Sequence, residues 1–290
     1  MPLESRLVGA STPAISQEVD ARWIMAYAAS LGDFNPRYLD TSAGALIAHP
    51  VFPVCLEWPA ILATRDLPGT ENVTGAERAR GVHAAHDLHV FRPIRAGDRL
   101  STQATVTGLQ GIKSGTAQML RLDTQDQHGA LVCRTYQMSV SRGVRLEGGA
   151  IALEHPPTVP VLDPETAGSR GTSGSIPIEL SAGLAHVYTE CARIWNPIHT
   201  DRAVALAAGL PDIILHGTAT MASAVSRLVE GRLGGDPSRV TRLGGRFSAM
   251  VTLPARLTLH VRGDADDTLF FDVCKADGEE VFSQGFLCYT

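Results

Sequence analysis

The sequence predicts an α+β protein in which one unit is used twice in tandem, each copy an antiparallel sheet packed on one long helix. Three observations lead there: an internal repeat, a shared helix–turn–helix–strands plan in both halves, and a stretch between them that breaks the pattern. In the repeat, Tyr27, Asn35, Pro36 and Asp40 recur at the same spacing as Tyr188, Asn196, Pro197 and Asp201, an offset of 161. Further along, Pro93-Ile94 through Arg99-Leu100 aligns with Met250-Val251 through Arg256-Leu257 at 157. Leu120, Asp123 and Gly129 then align with Leu269, Asp272 and Gly278 at 149. Four identities in one short window can arise by chance; three matches in the same order, with drifting offsets, indicate a duplication with small insertions.

Within a copy, Trp23, Tyr27 and Leu31 fall on one face at helical spacing, so residues 19–31 read as a helix. An Asn-Pro turn follows, because the residue before proline is pushed out of helical geometry. Longer apolar helices come next, over residues 51–65 and 217–233, and β-runs complete each unit. His128-Gly129 and Asp277-Gly278 sit between alternating apolar segments, as hairpin turns do. Residues 146–176, rich in Gly, Pro, Ser and Thr, read as a connector, leaving 1–145 and 177–290 as the two units.

With 290 residues, 44% hydrophobic and 19% charged, the chain can bury a sizeable core. A net charge of −5 and a pI near 6.0 argue against a nucleic-acid partner that needs a basic face. No apolar run approaches the roughly 20 residues that cross a bilayer, and the N-terminus lacks the apolar core of a signal peptide. The expectation is a cytoplasmic protein with no membrane partner. Five widely spaced cysteines, an odd number without a CxxC pair, read as free thiols. His83, His86 and His89 stand at every third position, which alternates faces on a strand, so no zinc site is expected. Trp58 and Trp195 read as core, and Glu57, a charge on an apolar helix, as exposed. Gly244-Gly245 is too short for a phosphate loop.

The chemistry-bearing candidates lie in the second copy. His199 follows Asn196-Pro197-Ile198 in a turn, and His216-Gly217 stands just before the long helix. A neutral imidazole, with its ordinary pKa of ~6.5, suits general acid–base work. Gly217 at a helix start can aim an uncommitted N–H at a developing oxyanion. Together they supply what addition of water across an α,β-unsaturated thioester needs. A lone histidine, taken by itself, is more often a structural residue.

The ordered run Asn196-Pro197-Ile198-His199-Thr200-Asp201, Ala203, Ala207-Ala208-Gly209-Leu210-Pro211 and Ile214-Leu215-His216-Gly217 closely resembles the MaoC-like dehydratases, the (R)-specific enoyl-CoA hydratases. Gly245-Arg246-Phe247-Ser248-Ala249 is similar to a later strand of that family. The first copy, with Gly32-Asp33-Phe34-Asn35-Pro36 and Ala48-His49-Pro50, resembles the divergent half of two-copy members. The resemblance implies a double hot-dog fold, an acyl-CoA or acyl-carrier-protein thioester as ligand, and neither metal nor redox cofactor. It makes His199 the histidine that, with an aspartate, activates water. Asn196 orients the site, and the Gly217 N–H polarises the thioester carbonyl. Arg193 and His216 are the candidate substrate-binding residues, and a homodimer is the expected assembly.

The sequence departs from the family at one telling place. The aspartate position, five residues before the histidine, is Ile194. The first copy keeps Asp33 but has Tyr38 at the histidine position and Pro50, without an N–H, after His49. Neither copy holds a complete set, and Asp33, read as bracing its turn, is assigned to a different pocket from His199. The expected function is hydration or dehydration of a 2-enoyl or (R)-3-hydroxyacyl thioester, with Glu190 or Arg193 as possible helpers of His199. The alternatives are a silent thioester-binding or partner subunit, and thioester hydrolysis in the same pocket with Arg193 holding a carboxylate.

Overall fold

The computed structural model describes residues 2–163 and 174–290. The first copy runs β1 (Ile15–Glu18), α1 (Ala21–Ser30), α2 (Pro53–Ala63), β2 (Gly81–Val90), β3 (Arg99–Ile112), β4 (Gly115–Asp126) and β5 (Leu131–Arg142). The second runs β6 (Gly174–Leu180), α3 (Leu184–Ala192), α4 (Gly217–Arg232), β7 (Val240–Phe247), β8 (Ala255–Ala265), β9 (Thr268–Lys275) and β10 (Glu280–Tyr289). Strand order is β1-β3-β4-β5-β2 in the first copy and β6-β8-β9-β10-β7 in the second, the same pattern. All these pairings are antiparallel. β2 and β7 also pair with each other, so one continuous sheet crosses from copy to copy about a pseudo-two-fold axis.

Local sequence explains the elements. Asp20 caps α1 by accepting the Trp23 N–H, and Trp23, Ile24 and Tyr27 form its buried face. α2 opens on Pro53, where the missing N–H is harmless. Along β4 and β5 the inward positions alternate (Leu120, Leu122, Thr124; Cys133, Thr135, Gln137). α1 and α3 pack side by side, and Tyr27 and Tyr188, equivalent in the repeat, bring their hydroxyls to 3.2 Å. That contact marks the axis. One core, including Tyr27, Leu56, Tyr188 and Val225, runs through both copies. A smaller one, around Leu7, Ala104 and Leu122, lies under the first copy alone.

The expected connector is partly paired to the units it joins. Leu146–Glu147 lies parallel to Leu3–Glu4, Ile151–Ala152 pairs with β3, and residues 174–176 already belong to β6. Residues 164–173 of that stretch, including Ser169 and Ser173, lie outside the described residues. The five cysteines are free. Among the described residues no helix is long and apolar enough to cross a membrane, and no group of three or more His, Cys, Asp or Glu side chains could hold a metal ion.

Three expectations are corrected. Glu57 is 1% exposed, because its helix turns that face to the sheet, where the Thr135 hydroxyl donates to its carboxyl. Burial pushes its pKa up to about 7. Trp195 is 58% exposed, its indole N–H donating to Glu190 at 3.2 Å on the surface. His83 and His86 do not simply alternate: a bulge between His83 and Ala85 brings their rings to 5.3 Å.

The seam between copies carries a buried ion pair. The Arg242 guanidinium on β7 grips Asp87 on β2 with two 2.8 Å hydrogen bonds. It also donates to the carbonyls of Pro157 and Thr158, tying the connector to the seam. Burial alone would raise the Asp87 pKa, but the Arg242 and His89 side chains hold it below the ordinary value. Asp87→Ala is expected to destabilise the protein by about 3–5 kcal/mol in urea unfolding, since it strands a half-buried cation. Replacing both partners with apolar residues should cost much less. Equal losses in the two variants would mean the pair acts through shape alone.

Candidate functional site

The second-copy turn begins where α3 ends. Arg193 closes that helix in the left-handed region (φ 58°), at the repeat position of Gly32 (φ 66°). Glycine adopts this region freely, whereas a side chain costs about 1 kcal/mol there. The Arg193 guanidinium lies 3.7 Å over the ring of Trp23, a cation–π contact between the copies. Ile194 follows, buried in the common core, and then Asn196 leads into the short 3₁₀ turn Pro197–His199. The Asn196 carbonyl accepts the His199 N–H at 3.1 Å, which fixes the turn.

His199 is 9% exposed, and its Nδ1 stands 2.7 Å from the carbonyl oxygen of Ile214. A carbonyl only accepts, so Nδ1 carries the proton of the neutral ring and Nε2 keeps a bare lone pair. Burial pushes the pKa down to about 4, with the Ile214 hydrogen bond opposing it. At neutral pH the residue is an uncharged base with one fixed tautomer.

His216 stacks on it, ring centroids 3.6 Å apart and 27° between planes. Its Nε2 lies 3.3 Å from the Ile194 carbonyl and 3.4 Å from the Thr189 hydroxyl, while the buried Nδ1 has no partner. Burial, then the neighbouring His199, pushes its pKa well down. Tyr188 packs on His216 at 5.0 Å and donates its hydroxyl to Thr218 at 3.2 Å. Rings therefore run without a break from the pseudo-axis to His199. Gly217 is the first residue of α4, where helical N–H groups have no intrahelical acceptor. A Cβ there would meet the Phe247 ring at 2.7 Å, so only glycine lets that ring sit against the helix start.

The structure thus gathers His199, His216 and Gly217, with Asn196 in the same turn. Arg193 is engaged with Trp23, and Glu190 with Trp195. Two participants escaped sequence reasoning. Tyr188 had a signal, since it and Tyr27 are the first identities of the repeat; Phe247 had one only in its family-like run.

The first-copy turn is built differently. Asp33 accepts the Asn35 N–H at 3.1 Å, and Asn35 accepts the Arg37 N–H at 2.9 Å, so the carboxylate braces its own turn. Tyr38 is fully buried, its hydroxyl without a partner, and burial raises its pKa well above the usual phenol value. His49 accepts the Val51 N–H on Nδ1 at 3.1 Å, and its Nε2 lies 3.1 Å from the Ser226 hydroxyl. A cleft of about 1330 Å³ opens beside this turn, lined by Asp33, Asn35, Ser223 and Ser226 among others. None of His199, Asn196, Gly217, Arg193 or His216 lines it.

Comparison with known proteins divides the chain along its repeat. Residues 6–135 match the family model described as "FAS1-like, dehydratase domain region", and residues 171–280 match the "MaoC like domain". The peroxisomal enoyl-CoA hydratase 2 of Arabidopsis thaliana is 26% identical over 175 residues, 57% of this chain and 54% of its own length. The chain therefore spans about half of that relative. A MaoC-like dehydratase from Phytophthora capsici shares the fold with a TM-score of 0.83 and 20% identity, over 98% of this chain and 96% of that one. A Mycobacterium tuberculosis protein described as a double hot-dog fold has a TM-score of 0.64 and 16% identity, over 97% and 94% of the two chains. At such identities these two likenesses speak for the fold alone. Each copy thus carries a dehydratase-type domain, the second of them MaoC-like, and the two together form one double hot-dog fold.

Proposed function

We propose that the chain interconverts 2-enoyl and (R)-3-hydroxyacyl thioesters of coenzyme A or acyl carrier protein, with His199 as general base and acid. The observation that carries this reading is the His199 tautomer: the Ile214 carbonyl holds Nδ1–H, so the free Nε2 is the base, beside the start of α4. In the hydration direction Nε2 takes a proton from water as the water oxygen bonds to C3 and the C2–C3 π electrons move to C2. The charge that spreads to the thioester oxygen meets the Gly217 N–H and the positive end of the α4 dipole. The imidazolium returns the proton to C2, and dehydration runs the same path backwards. The name of the Arabidopsis relative, an enoyl-CoA hydratase, supports this chemistry.

Ile194 favours a second reading, thioester binding without turnover, because an isoleucine can neither hold water nor share its proton. Loss of one general acid–base group typically costs about 10²–10⁴ in rate and leaves some activity. Following the enoyl absorbance across a panel of enoyl-CoA esters separates the two: turnover supports the first reading, and tight binding without turnover the second.

Three outcomes follow from the geometry. His199→Gln should lower kcat/KM about 10²–10⁴-fold with the circular dichroism spectrum unchanged. Because the base is the neutral form and its pKa is about 4, kcat/KM should hold steady from pH 7 to about 5 and fall below about 4. An acid limb centred near the ordinary ~6.5 would instead show His199 open to water. Gly217→Ala should push Phe247 away from the helix start and lower kcat, with a stability loss of about 1–3 kcal/mol by thermal melting. Unchanged kcat in that variant would show that the Phe247 packing does not bear on the reaction, since alanine keeps the N–H.

A further inference from the structure

The reaction above makes no use of the cleft beside the first-copy turn. Its volume, about 1330 Å³, exceeds the ~300–1,000 Å³ usual for small-molecule sites. It is the counterpart of the His199 turn under the repeat, with Asp33 at the position of Ile194 and Tyr38 at that of His199. The wall facing this turn comes from the other copy, through Ile178 and Leu180 of β6 and Ser223 and Ser226 of α4.

The two serines have opposite polarity. Val51 N–H donates to His49 Nδ1, so the neutral imidazole carries its proton on Nε2 and donates it to Ser226. This is the reverse of a serine activated by a histidine base, and it leaves the hydroxyl of Ser226, which lines the cleft, free to donate. Ser223 spends its own hydrogen on the Ala219 carbonyl at 2.9 Å, so its oxygen is left to accept. The pair stands at i and i+3 on α4, a donor and an acceptor about 5–6 Å apart. The lining is mixed, with Ile178, Leu180 and Leu184 beside Asp33, Glu179 and Arg227, and a donor and an acceptor at that spacing suit a chain bearing amide groups. Arg95, exposed at the mouth, supplies a cation for a phosphate.

We propose that this cleft is a second binding site for an acyl-phosphopantetheine thioester, one that holds the ligand without turning it over. The proposal rests on reading the His199 site as a thioester site, because the repeat relates the two. Turnover is barred by three features. Tyr38 stays protonated, Pro50 offers no N–H to an oxyanion, and the His49 Nε2 lone pair is occupied by its proton.

The test is calorimetric titration of the full chain with octanoyl-CoA and, separately, with an octanoyl-loaded acyl carrier protein. Two sites per chain are expected for at least one ligand, and the ligand that fills both names the source of the thioester. Ser226→Phe should abolish one site and leave the other, while Gly217→Val should abolish the other. Arg95→Glu, a surface change that leaves the core intact, should weaken the Ser226-sensitive site about tenfold. One site per chain that survives both Ser226→Phe and Arg95→Glu overturns the proposal, and so does failure of both ligands to bind. A single site that is lost in Ser226→Phe keeps it and removes the His199 reading instead.

Discussion

Where Gly81–Val90 runs antiparallel to Val240–Phe247, two five-stranded half-sheets that would each end on an open edge become one sheet. An unpaired edge there would present a row of free N–H and C=O groups to any other strand. The approach is close enough that a Cβ on Gly244 would collide with the His86 carbonyl, so the glycine is a packing requirement. The Asp87–Arg242 pair then fixes the register across the seam. From this one pairing the rest follows. It sets α1 against α3, brings the Tyr27 and Tyr188 hydroxyls together, and puts each copy's turn against the other copy's elements.

Equivalent positions have since been spent in opposite ways. At the first turn the Asp33 carboxylate serves the backbone of its own loop, and a buried phenol, Tyr38, stands at the repeat position of His199. At the second, Ile194 at the repeat position of Asp33 is part of the core, and His199 has an orientation in which one nitrogen is free. The residues before the long helices diverged to match. His49 precedes a proline and is locked between Val51 and Ser226, whereas His216 precedes a glycine and stacks on His199. One turn is braced by its own carboxylate, while the other leaves an imidazole nitrogen unengaged.

The repeat was legible in the sequence because its surviving identities have physical reasons to persist. Tyr27 and Tyr188 meet on the axis, and the Asn-Pro turns end a helix that must stop there. The helix spans were legible within two or three residues, from apolar periodicity. Glu57 was not. Its helix is apolar nearly all round, and its partner Thr135 lies 78 residues away, so nothing local marked the carboxyl as buried. Alternation failed for His83 because a bulge is a property of two strands together. Trp195 failed because its turn faces outward, which hydrophobicity alone does not encode. At the candidate site, an isoleucine at 194, where the resemblance leads one to expect an aspartate, was readable by position. That the Ile194 and Ile214 carbonyls accept from the two histidines was not, since those contacts span 22 and 15 residues.

Isoleucine at 194 changes more than the count of proton acceptors. The influences on the His199 ring are burial, which lowers its pKa, and the Ile214 carbonyl, which raises it; no carboxylate contributes. A pKa near 4 in place of ~6.5 makes the imidazolium about 3 kcal/mol less stable than it would be in water. The neutral His216 ring stacked beside it carries no counter-charge. On the proposed reaction, a proton taken from water therefore has no comfortable resting place on His199. Addition of the oxygen to C3 and delivery of the proton to C2 are pressed into one continuous event, in which the imidazole relays the proton and does not store it. A paired aspartate would relax that demand by stabilising the cation. Its absence makes the placement of the thioester oxygen against the Gly217 N–H the chief means left to lower the barrier.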